Sequence, residues 1–243
     1  MTVRKALALV TGAVMCAGLL ATGCAPRTPD TAERSASPRP APPAPSARPL
    51  PGVGPAMLAQ IPEATRQALV VRGATAQANR AQVVLYERDP VRGWRAAAGP
   101  WSAHNGLRGW TQDHSAGDLR TPVGVFGLSD AGGRLPDPGT RLPYDQDPEF
   151  ATSGTGHLGE PLEGSFDYVI AVDYNRVPGT TPLDKTRPQG VDKGGGVWIH
   201  VDHDGPTNAC VSLREEHMRE LLLTLDPEKS PVVVMGPESA LER

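Results

Sequence analysis

Two residues near the C-terminal end have the types and spacing for nucleophilic chemistry. His200 ends the apolar run Val197-Trp198-Ile199, and Cys210 follows ten residues later within Pro206-Thr207-Asn208-Ala209-Cys210-Val211-Ser212. A thiol attacks as its thiolate, and a neighbouring imidazole is a common base for it. A helix N-terminus acts in the same direction, because its unpaired N–H groups favour negative charge. Ser212 and Glu215 have the S-x-x-E spacing of a capping box. The sequence therefore predicts a helix starting just after Cys210, which would lower its pKa. Backbone or side-chain groups of Thr207, Asn208, Ala209 and Val211 are candidates for substrate contacts or an oxyanion hole. This arrangement points to acyl transfer by a cysteine nucleophile with a histidine base.

The other histidines are weaker candidates than His200. His203 is the alternative base. On a continuing strand, residues 200 and 203 face opposite sides, so only one meets the cysteine unless the Asp204-Gly205-Pro206 turn breaks the alternation. His217 is expected on the surface or core edge of the helix, and His104, His114 and His157 in solvated loops. His200, Asp202, His203, Asp204 and Cys210 match no common zinc spacing and include a single thiol, so no metal is expected.

These residues need elements to carry them. Residues 68–71 and 82–87 read as strands about a polar turn at 75–80, and 94–97 as a third. Residues 121–128 read as a strand with Pro122 at its start, where a missing N–H is tolerated. Long turn-rich loops span 129–164 and 175–194. Strands at 166–172, 195–201 and 231–235 complete the set. Met218, Leu221, Leu222 and Leu225 recur at helical spacing, and Asp226-Pro227 ends that helix. The expected fold is mainly β, a sandwich or barrel with one principal α-helix following the cysteine.

The chain has 243 residues and a formal charge of −3, which gives no basic signature for nucleic acid. Its first residues read as targeting sequence. Arg4 and Lys5 precede an apolar run at 6–20, shorter than a membrane span. The ending Leu20-Ala21-Thr22-Gly23-Cys24 resembles a bacterial lipobox, which implies lipidation of Cys24 and removal of residues 1–23. Residues 24–54 are rich in Pro, Ala and Ser and read as a disordered tether. Residues 55–243 form the expected catalytic domain, with its core at about 67–236. An exported protein usually pairs its cysteines. With Cys16 in the signal and Cys24 lipidated, Cys210 is left as a lone, reactive thiol.

Taken in order, these features resemble the L,D-transpeptidase catalytic domain family, with its YkuD-type fold. The family pattern is a strand-borne histidine, a variable turn, then Ser/Thr-His-Gly-Cys; here it reads His200, then Thr207-Asn208-Ala209-Cys210-Val211. Thr121-Pro122-Val123-Gly124-Val125-Phe126 matches the family's Thr-Pro-x-Gly-x-Phe strand, and Gly194-Gly195-Gly196 leads into the histidine strand. Asn208 and Ala209 stand where the family has His and Gly. The resemblance implies attack by Cys210 on peptidoglycan stem peptides, a thioester, and transfer to an amine as a 3–3 cross-link. His200 is the implied base, and no cofactor is required. It also implies an extracytoplasmic, lipid-anchored protein facing the wall; the oligomeric state is open. Alternatives are a thiol L,D-carboxypeptidase or endopeptidase and a degenerate wall-binding lipoprotein. A sortase is a weaker rival, since its Thr-Leu-x-Thr-Cys pattern is absent before Cys210.

Overall fold

A computed structural model describes residues 47–243. The expected signal peptide, Cys24 and most of the expected tether lie outside the described residues. The chain opens with α1 (Pro55–Leu58), then β1 (Gln67–Gly73), β2 (Arg80–Asp89) and β3 (Gly93–His104). Short strands follow: β4 (Trp110–Thr111), β5 (Thr121–Pro122), β6 (Gly124–Gly127), β7 (Ala131–Gly133), β8 (Tyr144–Gln146) and β9 (Val169–Ala171). The C-terminal part holds β10 (Trp198–Val201), β11 (Val211–Leu213), α2 (Glu215–Thr224), β12 (Val232–Pro237) and α3 (Glu238–Leu241).

Ten strands form one curled sheet in the order β6-β12-β1-β2-β3-β11-β10-β9-β7-β8, and β4 and β5 pair separately. The mainly-β expectation holds, with α2 the longest helix among the described residues. The packing of β1 explains why residues 68–71 are continuously apolar. Leu69 and Val71 face the larger core with Met218, Leu221, Leu222 and Leu225, while Ala68 and Val70 face a second core with Trp94, Val232 and Val234. A strand covered on both faces needs apolar residues at every position.

Several expected boundaries move. Residues 48–54 belong to the packed fold rather than to a tether. Arg48 exchanges backbone hydrogen bonds with Arg92 and Trp94, and Leu50 is 1% exposed, filling the second core with Val53 and Met57. The Pro-rich composition hides these apolar residues. The strand expected at 94–97 continues to His104, because Trp101 and Ala103 also face the larger core. The strand expected at 121–128 divides at Val123 into β5 and β6, and β7 and β8 form inside the loop expected at 129–164.

The capping box does not form. α2 begins at Glu215, with Arg214 as an N-cap that makes no side-chain cap. Ser212 instead lies in β11, fully buried, and its hydroxyl donates to Asp202 Oδ1 at 2.6 Å. A half-buried carboxylate is a stronger acceptor for that hydroxyl than a helix end, and Ser212 is its nearest donor in the ladder. Accordingly, Ser212→Ala should lower unfolding free energy by about 2 kcal/mol through loss of a bond to a charged group. Glu215→Ala should change it by less than about 0.5 kcal/mol. Urea unfolding of both variants checks the pair; a large loss from Glu215→Ala would restore the capping role.

Candidate active site

β10 and β11 lie side by side in parallel, with Ile199 opposite Val211 and His200 opposite Ser212. Ile199, Val211 and Leu213 point into the larger core. Side chains alternate along a strand, so Trp198, His200 and Ser212 share the other face. Cys210, two residues before Ser212, projects on that face too. Trp198 N–H donates to Cys210 Sγ at 3.4 Å, and the thiol reaches the Gly196 carbonyl at 3.7 Å. Cys210 is unpaired.

Cys210 and His200 share one cleft of about 410 Å³. Thr155, His157, Leu162, Phe166, Thr207 and Asn208 line it as well. Both side chains line the cleft, with no direct hydrogen bond between them. His200 Nδ1 lies 2.8 Å from the Val201 carbonyl. A carbonyl only accepts, so Nδ1 carries the hydrogen and Nε2 remains the acceptor. The edge-on Phe166 ring, 5.3 Å between centroids, further fixes the imidazole.

The electrostatics differ from expectation. Burial pushes the Cys210 thiol up to about 11, with the Trp198 N–H opposing it only in part. Burial also pushes His200 down to about 4, despite its bond to the Val201 carbonyl. At neutral pH the pair is a thiol beside a neutral imidazole. The expected lowering of the thiol fails for two reasons. Cys210 leads into β11 rather than a helix N-terminus, and a neutral His200 supplies no positive charge. Such a pair can act by general base catalysis, the proton moving to Nε2 as sulfur attacks.

The remaining candidates separate clearly. His203 does not face away from His200: the strand ends at Val201, and the turn through Asp204 (φ 64°) brings the two rings parallel, 5.8 Å between centroids. Thr207 is buried, its N–H donating to Asn105 and its hydroxyl to the Cys210 carbonyl at 2.7 Å. It holds the cysteine backbone at the edge of the cleft. Val211 is wholly buried in the core, which removes its side chain from the cleft. Asn208 is exposed at the cleft, and the backbone N–H groups of Asn208 and Ala209 have no protein acceptor among the described residues. Thr121, the first residue of the Thr-Pro-x-Gly-x-Phe stretch, accepts the Gly106 N–H and approaches the Cys210 carbonyl at 3.5 Å.

His157 is exposed, as expected, but its Nε2 lies 3.1 Å from Asn208 Oδ1. A separation of 51 residues gave no sequence signal for this contact. His104 and His114 are not solvated: His104 pairs with Asp202 at 2.9 Å and the 5%-exposed His114 with Asp118 at 3.0 Å. His217 stacks on Trp101 at the core edge, within its expected range. Among the described residues, no three His, Cys, Asp or Glu side chains converge as metal ligands.

Comparison with protein-family models matches residues 73–234 to YkuD, the L,D-transpeptidase catalytic domain. A search of curated proteins found no match.

Proposed function

Because the chain belongs to the L,D-transpeptidase catalytic domain family, we propose that it is an exported, lipid-anchored acyltransferase acting on peptidoglycan stem peptides, with Cys210 as nucleophile and His200 as base. Family membership supports an L,D-transpeptidase-type enzyme and a wall-peptide substrate. One observation carries the residue assignment: Cys210 and His200 line one cleft, on one face of two paired strands, with His200 Nδ1 held by the Val201 carbonyl.

In this reading, Sγ attacks the carbonyl between the third, L-centred stem residue and D-Ala, while its proton passes to His200 Nε2. The free N–H groups of Asn208 and Ala209 are placed to receive the developing oxyanion. The C–N bond breaks, D-Ala leaves with the proton from His200, and a thioester remains. An amine of a neighbouring stem then attacks the thioester, loses its proton to His200 and releases Cys210 as a thiol. The product is a 3–3 cross-link. Export and anchoring at Cys24 rest on residues 1–24 alone. The reaction requires no metal or cofactor.

Intact-mass measurement of the full chain with a tetrapeptide donor tests the reading. It expects an adduct of the acyl-donor mass together with released D-Ala. Dimers among the products would establish transfer, whereas tripeptide alone would establish a carboxypeptidase. A folded sample giving neither adduct nor D-Ala would favour the wall-binding lipoprotein.

The raised thiol sets a further expectation. Alkylation of Cys210 by iodoacetamide should be slow at pH 7 and climb through pH 10, because the thiolate population grows until about pH 11. A rate that levels off below pH 8 would contradict a neutral resting pair.

A further inference from the structure

Glu160 is a well-enclosed acid for which the mechanism above has no role. Its side chain is 9% exposed and that of His203 6%. Glu160 Oε1 lies 3.2 Å from His203 Nδ1. The His203 ring lies parallel to that of His200, with 9° between their planes. A carboxylate, a second imidazole and the proposed base thus form a continuous series.

The fold makes room for this carboxylate. Leu158 N–H donates to Glu160 Oε2 at 2.6 Å. A methyl group at Gly205 or at Gly156 would collide with the Glu160 carboxylate, so both glycines are needed for its approach. Burial opposes the charge, yet hydrogen bonds from its own N–H and from Leu158, together with His203, hold the carboxyl below its ordinary value. A loop latch alone could use a neutral amide; an enclosed anion has an electrostatic consequence as well.

We propose that Glu160 and His203 form a positioning pair that fixes the His200 ring and stabilises the charge His200 acquires on taking the Cys210 proton. The proposal rests on the reading of Cys210 and His200 given above. During the step, the proton moves from Sγ to Nε2 of His200, and Glu160 keeps its charge throughout. His200 is buried, so the imidazolium formed there receives little help from water. His203 itself opposes charge on His200, and the Glu160 carboxylate, 3.2 Å from His203 Nδ1, offsets that opposition. Other titratable or charged groups around the two rings are Asp202, held by Ser212 and His104, Asp204 beside His203, and His157 in the lining of the same cleft. The Asp202 carboxylate, held by its two donors, also favours charge on His200, whereas His203 opposes it.

The test compares the full chain with Glu160→Gln, His203→Phe and the double variant. Glutamine keeps the shape and an acceptor for His203, and phenylalanine keeps a ring against His200. Single-turnover acylation is read by intact mass, and donor affinity is read separately under non-reacting conditions with Cys210→Ala in each background. Both single variants should acylate about 10-fold more slowly, equivalent to about 1.4 kcal/mol on the barrier, with donor affinity unchanged. The double variant should be no slower than His203→Phe, because Glu160 acts through His203. Wild-type acylation by Glu160→Gln, or losses that multiply in the double variant, would overturn the proposal while leaving the assignment of Cys210 intact. If the wild type forms no acyl adduct, the acyltransferase reading fails instead. The rate of Cys210 alkylation, mapped to its own peptide and needing no stem substrate, then decides the pair: a slower Glu160→Gln supports it, and equal rates overturn it.

Discussion

Cys210→Ser is expected to eliminate the acyl adduct and lower turnover by at least about 10³-fold, some 4 kcal/mol on the barrier. The acidity of the attacking group sets this effect. Burial already pushes the thiol up to about 11, so the native reaction depends on His200 taking the proton as sulfur attacks. A hydroxyl is a weaker acid still, and its oxygen is less nucleophilic before deprotonation. The same imidazole, held down at about 4 by burial, is too weak a base to compensate. The fold should survive, because the serine oxygen can accept the Trp198 N–H that Cys210 Sγ now accepts. Intact-mass analysis and a melting curve on one preparation separate the two effects. An adduct retained by a folded Cys210→Ser protein would place the nucleophile elsewhere.

How legible was this site in the sequence? The His200–Cys210 pair could be found because a histidine ending an apolar strand and a lone cysteine are both local signals. Their shared face was not local. It follows from the parallel ladder of β10 and β11, which a ten-residue interval permits but does not impose. The helix face of Met218, Leu221 and Leu222 was legible for the same reason as the strands: its periodicity lies within one element. Its start differs from the capping-box expectation, because Ser212 has a tertiary alternative, the Asp202 carboxylate, that outweighs a local cap.

Glu160 and His157 show the opposite limit. Both come from a Gly-rich loop and meet the cleft through His203 and Asn208, at separations of 43 and 51 residues. No periodicity marks such contacts; they arise from how the loop crosses the ends of distant strands. Residues 48–54 were hidden differently. Two apolar side chains, Leu50 and Val53, suffice to close the second core, too few to alter a Pro-rich composition. The electrostatic misreading had a related cause. Proximity of histidine and cysteine suggests a lowered thiol, but the burial that brings them together acts on both groups and keeps both neutral.

His200→Ala is expected to slow acylation by about 10²–10⁴-fold, the usual contribution of a positioned base. It should also change how stability responds to acid. In the folded chain His200 titrates at about 4 instead of its ordinary 6.5, because burial disfavours its charge. Between those values the unfolded chain binds a proton that the folded chain refuses, so stability must fall as pH drops from 6.5 towards 4. The full effect approaches about 3 kcal/mol at 1.36 kcal/mol per pH unit. His200→Ala should therefore be less stable than wild type at pH 7, where a packed ring and its bond to Val201 are lost, while that difference narrows at pH 4.5. Urea unfolding at the two pH values reads the change directly. A difference that stays constant would mean that His200 is not held neutral by burial, and the general-base assignment would lose its electrostatic support. If His200→Ala instead acylated at the wild-type rate while His203→Ala did not, the base would be His203, and the stacked pair would work in the reverse order.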